Sequence, residues 1–186
     1  SFLEVNKNEI WLGTDNSCVY HLTLNGNGIY DFQHFNPIDF KSTPNESIEF
    51  IIQGTESDIW IGTSNGIHLL QKESDSETDY IFQYFLSDHY CTSAVKLNNV
   101  LYLGTLNKGL LSYNLKTKQF GIAQFVEENR QISMLQKTKT ENLIIGTVNS
   151  GLKIYNPTLK QTFSFLKKQQ IKSVYEDKKG ILWLVT

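Results

Sequence analysis

The residues best suited to chemistry in this sequence lie in three short polar stretches. They are Asp39, Phe40 and Lys41 within 36–46; Asp88, His89 and Tyr90 within 87–90; and Glu127 and Arg130 within 126–130. A ring such as Tyr90 or Phe40 can stack on the apolar face of a sugar, while Arg130 or Lys41 binds an acidic group. These eight residues are therefore the candidate ligand-binding set. For any one of them the competing reading, an ordinary solvent-facing loop residue, is the commoner outcome.

Other reactive types do not assemble into a site. His21, His34, His68 and His89 have no metal-ligand spacing with one another or with a cysteine, which argues against zinc. No Gly-x-Ser-x-Gly elbow, His-Glu-x-x-His pair or phosphate loop is present. Glu127 and Glu128 are adjacent carboxylates, a pattern more typical of a solvated loop than of a glycosidase pair. No catalytic residue, metal or cofactor is expected, and the segment is read as non-enzymatic. Cys18 and Cys91 fall in different, non-consecutive parts of the chain, so a bridge between them is not expected.

Composition narrows the class. A hydrophobic content of 40% and an aromatic content of 12% suit a folded domain rather than a disordered chain. The net charge of −2, with basic residues scattered, lacks the footprint of a nucleic-acid binder. No run is long enough to cross a bilayer as a helix, so membrane insertion by this segment is not expected.

The elements that must position the candidate loops are written as a repeat. Ile59-Trp60-Ile61-Gly62-Thr63 is echoed by Ile10–Thr14, Leu101–Thr105 and Leu143–Thr147, and by Leu182–Thr186 with Val185 in the glycine's place. The intervals are 49, 42, 42 and 39 residues. One apolar strand per period of about forty residues marks a repeat architecture. Around each copy, turn signals such as Ser64-Asn65-Gly66 and Asn149-Ser150-Gly151 separate strand-like runs. The first runs are Ser47–Gln53, Cys91–Leu97, Gln131–Lys137 and Ile171–Asp177; the third are Cys18–Leu24, Ile67–Gln71, Leu110–Leu115 and Leu152–Asn156. The fourth are Ile29–Phe35, Tyr80–Leu86, Gln119–Phe125 and Thr162–Leu166.

Four antiparallel strands per period predict an all-β β-propeller, with blades that cannot bury their apolar faces alone. A β-sandwich has no reason to repeat one pentapeptide. The predicted blades are 1–46, 47–90, 91–130 and 131–170, with a partial blade at 171–186. These make about four and a half blades of one segment, an arc of a larger ring. Trp11, Trp60 and Trp183 share one slot of the repeat, so they read as packing positions rather than sugar platforms. Asp177 and Gly180 read as turn chemistry. The candidate loops join a fourth strand to the next first strand, the connections where a rigid scaffold carries variable function.

The segment from Ile171 to Thr186 resembles the two-component regulator propeller repeat: strand, Glu-Asp, two residues, Gly, then an apolar-Trp-apolar strand. Gly151-Leu152-Lys153-Ile154-Tyr155-Asn156-Pro157 with Phe163, and Gly109–Asn114 with Phe120, resemble its continuation. Val185 departs from the repeat's glycine, Tyr102 and Ile144 from its Trp. The resemblance implies the periplasmic sensor region of a hybrid sensor histidine kinase of Bacteroidetes. It further implies recognition of an oligosaccharide and signalling across the inner membrane. The partners so implied are that oligosaccharide, the remaining propeller blades and, through uncovered blade faces, a second copy in a homodimer. The alternatives are a protein-interaction propeller and a glycan-cleaving one. No kinase phosphoacceptor, ATP-binding or receiver-like segment is present.

Overall fold

In a computed structural model, residues 1–36, 46–55, 58–73, 80–127 and 130–186 are described. Among them the regular structure is entirely β-strand, and every paired strand is antiparallel to its neighbour. The first sheet joins β1 (Phe2–Asn6), β2 (Glu9–Gly13), β3 (Val19–Leu24) and β4 (Tyr30–Phe35) in that order. The second joins β5 (Ile48–Gln53), β6 (Asp58–Thr63), β7 (Gly66–Lys72) and β8 (Tyr80–Phe85). The third joins β9 (Cys91–Leu97), β10 (Val100–Thr105), β11 (Leu110–Asn114) and β12 (Gln119–Ile122), and the fourth β13 (Ile132–Lys137), β14 (Leu143–Thr147), β15 (Leu152–Asn156) and β16 (Gln161–Phe165). A last pair, β17 (Ser173–Glu176) and β18 (Leu182–Val185), stands as a two-stranded sheet. Consecutive four-stranded meanders of this kind are propeller blades.

The chain divides into two compact units, Ser1–Cys91 and Thr92–Thr186. In the first, the two facing sheets enclose Trp11, Val19, Phe35, Ile48, Ile51, Ile59, Ile61 and Leu70. Trp11 is fully buried, stacked on His21 with ring centroids 4.1 Å apart and meeting Tyr80 edge-on at 5.4 Å. In the second unit, one core lies between the third and fourth sheets, around Leu97, Ile132, Leu143 and Ile145. A smaller one, around Ile144, Leu152 and Ile171, lies between the fourth sheet and the β17–β18 pair.

The repeated Gly-Thr has a physical cause. An ideal Cβ on Gly13 would fall 2.4 Å from Ile48, and one on Gly104 would fall 2.7 Å from Ile132. In both cases the first strand of the following sheet lies directly over the glycine. Gly146 is covered by Met134 at 2.7 Å and Ile171 at 3.0 Å, whereas Gly62 is covered by Phe50 of its own sheet. The threonine closes the next hairpin. Thr63, Thr105 and Thr147 donate to the carbonyls of Gly66, Gly109 and Gly151 at 3.2, 2.8 and 2.8 Å. The same hydroxyls accept from the backbone N–H of Asn65, Lys108 and Ser150. All three threonines are buried, so each oxygen both fills space and satisfies a turn.

The tryptophan slot does not behave uniformly. Trp11 and Trp60 are fully buried, but Trp183 is 60% exposed, contrary to the packing role expected of it. Its indole N–H donates to Asp177 at 3.1 Å, and its ring lies on a face of the β17–β18 pair shared with exposed Tyr175 and Val185. Burial of that slot needs a sheet on that face. Asp177 is a turn residue as expected: its carboxylate accepts from the N–H of Lys179 and Ile181, and Gly180 has φ +80°.

Candidate functional site

Asp39, Phe40 and Lys41 lie outside the described residues. The five remaining candidates fall in two places, one in each unit. In the first unit, Asp88, His89 and Tyr90 form the turn between β8 and β9. Leu86 and Asp88 take left-handed backbone conformations, at φ 54° and 63°, and the His89 N–H closes the turn on the Leu86 carbonyl at 3.3 Å. His89 Nδ1 lies 2.9 Å from the Ser87 carbonyl oxygen. The Tyr90 ring is exposed, while its hydroxyl donates to Glu49 at 3.5 Å. Glu49 also accepts a short hydrogen bond from Ser47 and sits where the β5–β6 register shifts between Ile48 and Phe50. Such a shift re-aims a side chain. The Glu49 charge, followed by partial burial, holds the Tyr90 hydroxyl above its ordinary pKa.

In the second unit three loops converge around Arg130. The Val148 N–H donates to the Gln131 carbonyl, tying the first loop to the β14–β15 turn. The Gly151 N–H donates to the Gln169 carbonyl, tying the loop after β16 to the same turn. Gly151 has φ +81°, and a Cβ there would lie 2.3 Å from the Phe165 carbonyl oxygen, so this close approach requires glycine. Arg130 donates through Nη1 to Ser150 Oγ at 2.7 Å, and its Nε and Nη2 meet Glu127 Oε2. Ser150 is itself placed by its backbone bond to Thr147, so the repeated threonine reaches the site through one intermediate.

The hollow between these loops has a volume of about 440 Å³. Its basic lining is Arg130, Lys153, Lys167 and Lys168, against Glu127 as the one carboxylate among the described lining residues. Ser150, Asn149 and Ser164 add neutral donors and acceptors, and Lys153 Nζ reaches Ser164 at 3.4 Å. The hydrogen bond from Arg130, then the charges of Arg130 and Lys153, hold the Glu127 carboxyl below its usual range. Of the residues lining this hollow, the sequence pattern singles out Glu127 and Arg130 but not Lys153, Lys167 or Lys168. The loop at 166–169 is a fourth-strand connection like the three singled out, so the same rule points to it.

A second hollow of about 550 Å³ in this unit is uncharged. Tyr102 and Phe125 line it together with Ser112, Asn114, Gln119 and Gly121. Phe125 is held flat against Tyr155, ring centroids 3.8 Å apart. Among the described residues no cluster of three metal-ligating side chains occurs, and no helix is long and apolar enough to cross a membrane.

No family model matches the chain, and no curated protein matches it in sequence. Solved structures do match in fold. The extracellular domain of a proposed hybrid two-component system of B. thetaiotaomicron superposes with a TM-score of 0.73 at 19% identity, over 99% of this chain and 25% of that one. A second such domain from the same organism gives 0.67 at 21% identity, over 99% and 24%. PorZ, a surface component of the type-IX secretion system of Porphyromonas gingivalis, gives 0.71 at 15% identity, over 99% and 30%. The chain thus spans about a quarter of the length of the extracellular domains it matches. It shares with them a fold of four-stranded antiparallel propeller blades.

Proposed function

We propose that this chain is a ligand-sensing propeller segment of an extracytoplasmic sensor region. In this reading it belongs to a hybrid two-component histidine kinase and lies in the periplasm. It recognises an oligosaccharide without cleaving it, and the remaining blades of its propeller complete the sensor. The observation that carries the reading is the match in fold, over 99% of the chain, to extracellular domains of hybrid two-component systems. The short repeat motifs, such as Gly151–Pro157 and Ile171–Thr186, resemble the two-component regulator propeller repeat. Support at the residue level comes from Tyr90, an exposed ring anchored by its hydroxyl, and from Arg130, a positioned guanidinium at a loop hollow. Asp88, His89 and Glu127 belong to the proposed ligand-binding set through their place beside these two.

A thermal-shift screen against a panel of oligosaccharides tests the proposal, because a ligand of the folded state raises the melting temperature with concentration. The expected result is a specific, dose-dependent shift with no new reducing end, diminished in Tyr90→Ala or Arg130→Ala. Bond cleavage would favour a glycosidase; intact affinity in both variants would remove these two residues from the proposed ligand-binding set.

A protein-interaction role is the second reading; Tyr175, Trp183 and Val185 present an apolar face that a further sheet or a partner would cover. Self-association or partner binding through that face, with no glycan bound, is the result that would select it.

A further inference from the structure

We propose that the hollow around Arg130 takes the anionic group, sulfate or carboxylate, of an acidic oligosaccharide, and that Glu127 occupies that group's place in the unliganded protein. The inference rests on the sensor reading for the sugar, and on the geometry of the hollow for the charge.

Four cations surround one carboxylate among the described lining residues. Lys167 and Lys168 make no hydrogen bond or ion pair among the described residues, so the excess charge is not neutralised locally. Arg130 is oriented by Ser150 on one side, which leaves its Nε–Nη2 edge facing Glu127. That edge is the fork which matches a carboxylate or sulfate with two parallel donors. A side-chain carboxylate therefore already sits where a ligand oxyanion would bind.

The pair is easily opened. Glu127 and Arg130 side chains are 59% and 40% exposed, and an ion pair that open to water contributes little to stability. An incoming oxyanion would replace Glu127 on Arg130 and gain Lys153, Lys167 and Lys168 around it. Ser150, Ser164 and Asn149 remain to meet sugar hydroxyls. A neutral sugar gains nothing from the cations and leaves the Glu127–Arg130 pair intact.

The test is a calorimetric titration of the intact chain with trigalacturonate, a sulfated galactose trisaccharide, neutral galactotriose and inorganic sulfate. Acidic trisaccharides are expected to bind at least about tenfold more tightly than galactotriose and than sulfate alone, with affinity falling as salt rises. Glu127→Gln should strengthen acidic binding by roughly two- to fivefold, because the internal competitor loses its charge. Arg130→Gln should weaken it by about tenfold or more. Lys167→Gln, which leaves the Arg130–Ser150 contact in place, should weaken it by a smaller factor. The carboxylate and sulfate arms identify the group.

Galactotriose binding as tightly as the acidic sugars would overturn this inference while leaving the sensor reading standing. Inorganic sulfate matching the sulfated sugar would overturn the saccharide as the source of the anion. Acidic binding unchanged in Glu127→Gln, Arg130→Gln and Lys167→Gln would move the site elsewhere. Binding of no glycan at all would contradict both the inference and the sensor reading.

Discussion

At the scale of single residues, the repeated glycine sets how closely its neighbours pack over it, within its own sheet at Gly62 and from the next sheet at Gly13 and Gly104. The threonine sets how each hairpin closes. Gly13→Ala places a methyl 2.4 Å from the branched Ile48 side chain, which has little freedom to move. Overpacking of this kind costs about 1–3 kcal/mol. Gly146→Ala should cost less, because its nearest obstacle is the flexible Met134. Urea denaturation of the two variants measures the difference; equal stability of Gly13→Ala and the parent would contradict the packing account. His68 carries a second prediction. It is 1% exposed and stacked on Tyr84, and burial lowers its pKa from 6.5 to about 4, against a smaller opposing effect of the Glu46 charge. The unfolded chain therefore binds a proton between pH 6.5 and 4 that the folded chain refuses. Stability is full above pH 6.5 and is lost as pH falls through this window, by up to ~3 kcal/mol. His21, lowered mainly by burial, acts in the same direction. His68→Phe keeps the stack and should flatten the slope, as read by denaturation at pH 7.5, 6 and 5; an unchanged slope would contradict the assignment.

At the scale of elements, a strand's role depends on what covers it. Trp11 and Trp60 are each closed in by their surroundings, while the face of β18 that carries Trp183 is open. Acrylamide should therefore quench one tryptophan and spare two. Trp183→Phe should abolish the quenchable component with little loss of stability; uniform quenching, or none, would contradict the arrangement. The strands themselves were legible because apolar runs are punctuated by Asn-Gly and Asp-x-x-Gly turns, and Cys91–Leu97 and Leu152–Asn156 match the expected bounds. The sequence pattern extends the fourth strand of the third repeat to Phe125, whereas β12 ends at Ile122. Ala123 and Val126 are buried in the turn that follows, and apolar sequence in a buried turn carries the same signal as a strand. The exposure of Trp183 was not legible for a related reason: its slot in the repeat is local, but its cover is tertiary. The basic hollow was half legible. Glu127 and Arg130 share one loop, but Lys153 comes from β15 and Lys167 and Lys168 from the loop after β16. Contacts between residues distant in sequence bring those segments together: the β15–β16 ladder, the backbone bonds of Val148 and Gly151, and the Arg130–Ser150 hydrogen bond.

At the scale of the whole molecule, two compact units built from one repeated sheet present loops that differ from repeat to repeat. The scaffold is constant because its glycines and threonines are fixed by packing and turn closure. Connections between strands tolerate more variation than the strands they join. A propeller of this kind presents its variable side chains at the connections between strands. Fold alone hosts many functions, as the shared fold of two-component extracellular domains and a secretion-system component illustrates, so the claim must be decided at the ligand. The most direct measurement is calorimetric titration of this chain with neutral and acidic oligosaccharides, with product analysis after each titration. The account predicts saturable binding of at least one glycan, recovered intact, with affinity reduced by Arg130→Ala or Tyr90→Ala. Cleavage of the bound glycan, or no glycan binding across the panel, would contradict it.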